Sequence, residues 1–503
     1  MFFTSFNFFL FFPCVVILYY LIPHRFQWLF LLIASSLFYA VFSWGYLLFL
    51  FVVILLNFVI GLNIYLPNGQ LNRPVYLSGI LINILILCFY KYFNYLNIDI
   101  KAAAGFLHLH YPDSVLNIIF PIGLSYFVFT SLSYLIDIKR EVIKPESHIG
   151  IFASYFLFFP KIIQGPIERA GRLMPQFHET HIPEAAGIKD GLILMAWGFF
   201  KKLVIADNLA IPVNAVFSDP GHANGPASIV AIILFGIQLY ADFSGYTDIA
   251  LGSARILGFD LTQNFRRPFL SKSVRDFWTR WHISLSSWCS DYVFLPVLTY
   301  SYSLKKMLKK TKYLKSLSAE KIMYVVAAFV TFLIIGVWHG VGWNYIVVGL
   351  LFGFYVSFDI VTRDIRKKIN TGTGLLKSPQ VFTAIQIFTT FLLVNFVWIF
   401  FRTANLTNAG LLIRDLFHGW SYGEIHGHYM FYSRMGLNGA QLIAGIAATV
   451  ILIFWDAMSE KKDMFERIYQ SPVYLRWAFY YFITISIILF SAPESRQFIY
   501  LQF

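Results

Sequence analysis

Long apolar runs separated by short polar or basic stretches recur along the whole 503-residue chain. They lie near 6–22, 27–43, 46–66, 75–96, 115–138, 191–217, 227–257, 323–340, 342–360, 381–401, 439–457 and 473–491. Most approach the roughly twenty residues that an α-helix needs to cross a bilayer. Alternating ten-residue segments, the mark of a membrane β-barrel, do not recur. The pattern predicts an all-α, polytopic membrane bundle with about 11–12 spanning helices. Two stretches depart from it. Residues 150–160 are apolar but too short to span, and Pro160 and Pro166 interrupt a helix there, so 148–170 predicts a re-entrant or interfacial piece. Residues 258–300 are amphipathic and rich in Trp, which predicts a segment lying in or dipping into the interface. The chain reads as one membrane domain. N-terminal helices fill 1–138, a cytoplasm-facing region with two spans fills 139–322, and C-terminal helices fill 323–503. No internal repeat is visible.

Composition excludes the soluble alternatives. Only 13% of residues are charged and 58% are hydrophobic, against about 25% charged in a soluble protein. The mean hydropathy is +0.64. The net charge of +13 would suggest nucleic acid on a soluble chain; here it follows the positive-inside rule. With residue 1 outside, segments 139–149, 160–190, 258–322, 361–377 and 458–476 fall inside and hold 28 Lys and Arg. The outside segments 97–114, 218–226, 402–438 and 492–503 hold 5. Both termini are therefore expected outside the cytoplasm. The first cation, Arg25, follows the first apolar run, the reverse of a cleaved signal peptide, so 6–22 is expected to stay. The basic run from Lys305 to Lys321 reads as a topology anchor beside anionic lipid. Cys14, Cys88 and Cys289 form no C-x-x-C pair and predict no disulfide framework or metal knuckle.

Ionisable side chains inside apolar runs are costly and point to function. His339 ends one such run, in Gly336-Val337-Trp338-His339-Gly340, with Val341-Gly342-Trp343-Asn344 behind it. The glycines let other backbone, or a substrate, come close. A neutral imidazole takes and returns a proton near neutral pH. Two readings stand: a general base, or a structural histidine bonded across helices. His282 lies in Asp276-Phe277-Trp278-Thr279-Arg280-Trp281-His282-Ile283-Ser284-Leu285-Ser286. In a helix, Trp278, Trp281, His282 and Leu285 would share a face. That face either lines a cavity mouth or anchors the segment in the interface. His108, His110, His418, His426 and His428 fall in outside segments and read as solvated surface. Asp242 and Asp248, six residues apart in one apolar run, do not share a helical face and predict no acid–base dyad. Pairing with Arg or backbone donors at a helix kink is expected instead. No phosphate loop, dinucleotide fingerprint or H-E-x-x-H occurs.

Trp338-His339-Gly340, with Arg280-Trp281-His282 upstream, resembles the membrane-bound O-acyltransferase family. Seven blocks in order carry the resemblance. Pro121-Ile122-Gly123-Leu124-Ser125 leads to Tyr134-Leu135-Ile136-Asp137, and Phe159-Pro160-Lys161 leads to Gly165-Pro166-Ile167. Asp242-Phe243-Ser244-Gly245-Tyr246 follows, then Asn264-Phe265 through Leu270-Ser271-Lys272-Ser273 to Phe277-Trp278 and Trp288. Gly336 to Asn344, Phe396 to Arg402, and Phe498-Ile499-Tyr500-Leu501-Gln502-Phe503 complete the set. The chain is similar to the family's bacterial branch, which O-acetylates alginate, peptidoglycan and cellulose, with teichoic-acid D-alanylation proteins as cousins. Leu501 and Lys161 depart from the family pattern.

The resemblance implies a helical ring around a thinned membrane centre, with a tunnel from the cytoplasm. It makes His339 the essential base and His282 a second family histidine, expected to shape the entrance or orient the donor. It implies acetyl-CoA as the donor substrate, no resident cofactor or metal, and an extracytoplasmic SGNH-type partner acting on a polysaccharide. The cations Arg266, Arg267, Lys272 and Arg280 are placed to meet the donor's phosphates. Asn344 or the Trp nitrogens are candidate oxyanion donors. Tyr500 is implied as an acyl relay, which its pKa of about 10 suits because an aryl ester stays energised; a packing anchor is the other reading. The expected compartment is the inner membrane. The alternatives are a carrier-protein donor, as in D-alanylation, and a non-enzymatic polysaccharide transporter or scaffold.

Overall fold

The computed structural model describes residues 1–503 except 110, 112–117, 301–318, 374, 422, 424–426, 428–438, 461–463, 493–497 and 500–503. Among the described residues the chain is helical, with one isolated β-bridge between Tyr65 and Leu71. Eight helices among the described residues are long and apolar enough to cross a membrane. They arise from eight of the apolar runs; the other four make helices that are shorter or interrupted. The chain divides into two compact units, Met1–Met195 with Tyr246–Thr262 and Ala196–Gly245 with Gln263–Phe503.

The first unit holds α1 (Phe6–Leu21), α2 (His24–Ala40), α3 (Trp44–Leu62), α4 (Arg73–Phe106), α5 (Leu124–Lys139), α6 (Ile149–Leu157), α7 (Phe159–Ile162) and α8 (Ala170–Leu173). α4 runs for 34 residues, about 51 Å at the α-helical rise. It continues past the end of its apolar run near 96 because Lys101, Ala102, Ala103 and Ala104 are good helix formers that need no lipid. α5 has only 16 residues and is buried on every side, so the apolar run at 115–138 yields a core helix. Gly123 starts it at φ +79°, and a Cβ there would lie 2.2 Å from the Ile162 carbonyl oxygen, so only glycine lets α5 begin against α7. The broken piece expected at 148–170 is present. α6 has nine residues and α7 four, and both are buried. Pro160 falls in the first turn of α7, where no backbone donor is lost. Lys161 is buried with its ammonium 4.4 Å from the Tyr155 ring centre.

The second unit opens in the last turn of α9 (Ala185–Phe199). A π-helical turn, Phe200–Ala206, then leads into α10 (Asp207–Ser218), so the run at 191–217 is not one regular helix. α11 (Gly225–Ile256) follows, 32 residues long. Next come α12 (Val274–Trp278), α13 (Ile283–Cys289), α14 (Ala319–His339), α15 (Trp343–Val361), α16 (Arg363–Gly372) and α17 (Pro379–Arg402). The chain ends with α18 (Leu406–Asp415), α19 (Gly439–Ser459), α20 (Met464–Gln470) and α21 (Val473–Phe490). α14 and α15 form a tight hairpin. A Cβ on Gly336 would lie 2.3 Å from the Tyr345 carbonyl oxygen, and one on Gly349 would lie 2.5 Å from that of Phe332. The glycines around His339 therefore admit a neighbouring helix rather than a substrate.

The segment 258–300 corrects the helical face expected for Trp278, Trp281, His282 and Leu285. α12 is capped by Ser273, whose hydroxyl oxygen accepts from the Asp276 N–H at 3.1 Å, and it ends at Trp278. His282 then takes the left-handed conformation, φ 44° and ψ 53°, before α13 starts. A non-glycine residue in that region cannot continue a right-handed helix. Trp278 and His282 thus belong to separate short elements.

Candidate active site

His339 is the last residue of α14 and is buried, 7% exposed. Its ring packs against Trp338 at 4.5 Å and meets the edge of Phe401 at 5.1 Å. It opens onto a cavity whose free space is about 20 Å³, room for about one water or a comparably small group. Five helices and one turn converge on this space. α12 gives Phe277 and Trp278, the turn after it Trp281, and α14 Phe332 and Ile335 beside His339. Val348, Gly349 and Phe352 of α15, Trp398 and Phe401 of α17, and Leu239 of α11 close it. His339 is the one titratable side chain among these lining residues.

Trp278 lines the same cavity, and its indole N–H is buried with no hydrogen-bond partner among the described residues. A buried donor left unmade is costly unless a ligand group satisfies it. Asn344, the other candidate oxyanion donor, is spent. Its Nδ2 donates to the Phe400 and Thr403 carbonyl oxygens at 3.2 and 3.0 Å, which clamps the start of α15 to the end of α17. Its role is to hold Phe401 and the hairpin in register.

His282 is fully buried, which removes the reading as an exposed interfacial anchor. Asn264 holds it. The Asn264 Oδ1 accepts from the Ser284 N–H at 3.1 Å and from the Ser284 hydroxyl at 2.9 Å, and it faces His282 Nδ1 at 3.1 Å. A backbone N–H can only donate, so that Asn264 atom is the oxygen, and His282 Nδ1 must carry the proton. The basic lone pair then lies on Nε2. Burial pushes the imidazole down to about 3, so it stays neutral through the physiological range. The Phe243 ring stands perpendicular to it at 4.7 Å. Trp281, one residue away, is a wall of the His339 cavity, and Leu239 and Phe243 share a face of α11 as an i, i+4 pair. The two histidines are thus tied to one aromatic wall, in which Trp281 also packs on Phe277 and Trp398 at 5.3 and 5.2 Å.

The four candidate phosphate ligands separate into two pairs. Arg266 and Lys272 are exposed. Arg267 and Arg280 are half-buried and share the Glu460 carboxylate, at 3.2 and 3.0 Å, and Arg280 Nε also donates to Asp276 at 2.9 Å. Tyr500 lies outside the described residues, as do His110, His426, His428 and all of the basic run except its final residues. Just before Tyr500, Phe498 and Ile499 are buried. Asp242 pairs with Lys202 in place of an arginine and accepts a backbone N–H, that of Ile499, as expected, but α11 continues through it without a break. The sequence reading missed Lys202. A lysine inside the apolar run 191–217 was the available signal.

The profile of the membrane-bound O-acyltransferase family matches residues 146–403, which hold both histidines. The chain is 33% identical to the probable alginate O-acetylase AlgI of Pseudomonas syringae pv. tomato over 453 residues, 89% of this chain and 80% of that protein. It is 28% identical to the peptidoglycan O-acetyltransferase of Helicobacter pylori, covering 77% and 73%. It is 30% identical to the teichoic acid D-alanyltransferase of Bacillus subtilis, covering 57% and 69%.

Proposed function

We propose that this chain, which belongs to the membrane-bound O-acyltransferase family and is a multi-pass membrane O-acyltransferase, moves acetyl groups from acetyl-CoA across an inner membrane to O-acetylate an extracytoplasmic polysaccharide. The observation that carries the reading is His339, the one titratable side chain among the described residues that line a small aromatic cavity, which Trp278 also lines with its unmet N–H. The relatives named for O-acetylation cover more of the chain than the one named for D-alanylation, which supports acetyl over D-alanyl.

In this reading an acceptor hydroxyl attacks the thioester carbonyl while His339 removes its proton. The C–O bond forms, the C–S bond breaks, and the CoA thiolate takes the proton back from His339. The Trp278 N–H steadies the oxyanion between the two steps. His282, with its proton fixed on Nδ1, orients the donor. Arg266 and Lys272 meet the donor's phosphates first, and Arg267 and Arg280 join them as Glu460 gives way. Tyr500 is the acceptor that relays the acetyl group outward as an aryl ester, and an SGNH-type partner passes it to the polymer. The inward packing of Phe498 and Ile499 supports a tail turned toward the protein interior. The 28 to 5 distribution of cations supports both termini outside the cytoplasm.

Detergent-purified protein given labelled acetyl-CoA should release the thiol and carry acetyl on its C-terminal peptide, and Tyr500→Phe should carry none. Inert acetyl-CoA alongside consumption of an acylated carrier protein would overturn the donor. Normal polymer acetylation by Tyr500→Phe would overturn the relay.

A further inference from the structure

The second unit contains a buried ionic cluster that the acyl-transfer chemistry does not use. Lys202 Nζ donates to Asp242 at 2.7 Å and to Asp207 at 2.9 Å, and all three side chains are buried. Burying charge is costly unless every partner is in place. The cluster exists because the π-helical turn at Phe200–Ala206 re-aims its side chains. Neighbouring residues of a regular helix point about 100° apart, yet Lys201 and Lys202 are both buried against α11, Lys201 donating to the Ser244 hydroxyl at 2.9 Å.

The partner that completes the cluster is the C-terminal tail. The backbone N–H of Ile499 donates to Asp242 Oδ2 at 2.7 Å, and the Phe498 ring lies 4.3 Å from the Lys202 ammonium. Two further contacts bind the start of the tail to the same stretch. The Ala492 N–H donates to the Leu203 carbonyl oxygen at 3.3 Å, and Asn208 Nδ2 donates to that of Phe490 at 2.8 Å. Asp242 thus spends one carboxylate oxygen on Lys202 and the other on the tail backbone. If the tail leaves, the second oxygen loses a charge-assisted hydrogen bond in a buried site.

We infer that Lys202, Asp207 and Asp242 form a docking site for the C-terminal tail. The site reads a main-chain N–H through a carboxylate and an aromatic ring through an ammonium. Asp242 shares one face of α11 with Leu239, three residues before it and a wall of the His339 cavity. Ile499, bonded through its backbone N–H to Asp242, meets this face of α11. Asp242 and Lys202 are then positioning residues for the relay, a role that rests on the acyl-relay reading above; the docking itself does not.

The test uses the full chain in detergent with Cys14 and Cys88 replaced by Ser and Ile499→Cys as reporter, Cys289 being buried. Maleimide alkylation of Cys at 499 should be slow with the cluster intact and at least about tenfold faster in Asp242→Ala. The combined change K202M, D207N and D242L leaves no unpaired buried charge, keeps the fold testable if Asp242→Ala does not accumulate, and should show the same acceleration. Protection equal to the parent in these variants overturns the dock. Faster alkylation with lost polymer acetylation supports the dock and the positioning role. Faster alkylation with normal acetylation supports the dock and overturns the relay reading.

Discussion

His339 and His282 are both buried, yet the chain holds them by different means. His282 sits in a polar frame. Asn264 and Ser284 determine which nitrogen carries the proton, and a left-handed backbone turns the residue out of any helix. His339 sits among rings at the end of a spanning helix, facing space just large enough for a small group. Hydrogen bonds specify a tautomer and a direction, whereas aromatic walls specify a size and a dry surrounding. The pairing suits an enzyme in which one imidazole does the proton transfer and the other holds a fixed orientation nearby.

The sharpest way to break this comparison is to remove each ring. His339→Ala should lower polymer acetylation by about 10²–10⁴, the usual worth of general-base assistance, with membrane protein level unchanged; near-normal acetylation would end its role as base. Trp278→Phe keeps the ring and removes the N–H, and turnover of labelled acetyl-CoA should fall by about tenfold or more while its KM holds. A change confined to KM would make Trp278 a wall only.

Asn264→Ala should cost about tenfold in activity by freeing the His282 tautomer. Its pH behaviour is the cleaner mark. Burial depresses the folded imidazole to about 3 from 6.5, so below pH 6.5 the unfolded chain binds a proton that the folded chain refuses. The native state therefore loses stability as pH falls from 6.5 toward about 3, and has the full contribution above 6.5. His282→Gln should flatten that part of a thermal-unfolding profile, and an unchanged slope would show that other groups set it.

Gly349→Ala tests the hairpin that carries His339. A Cβ 2.5 Å from the Phe332 carbonyl oxygen forces α14 and α15 apart. Destabilisation of about 1–3 kcal/mol is expected, read as a lower unfolding temperature. The smallest effect belongs to Glu460→Gln, which loosens its hold on Arg267 and Arg280. Donor KM should fall by about two- to threefold, the scale of half-exposed ion pairs. A rise would mean that Glu460 aligns these arginines for the donor.

The amino-acid pattern by itself determined the helical membrane class, the interrupted piece around Pro160 and the two histidines to examine, and it predicted about 11–12 spans, of which eight are long helices among the described residues. These are consequences of local chemistry: apolar length, the missing N–H of proline, and the cost of an ionisable group in an apolar run. Only the tertiary structure decided the rest. Trp278 and His282 could be read as one helical face because periodicity does not reveal a left-handed residue; the backbone at φ 44° separates them. Asn344 could be read as an oxyanion donor because spacing does not show where an amide's hydrogens go; two carbonyl oxygens of α17 and the residue beyond its end take them. Lys202 meets Asp242 across 40 residues and Ile499 meets it across 257. Such partners are chosen by packing, since a buried charge accepts whichever distant group can reach it, and no local signal encodes that choice.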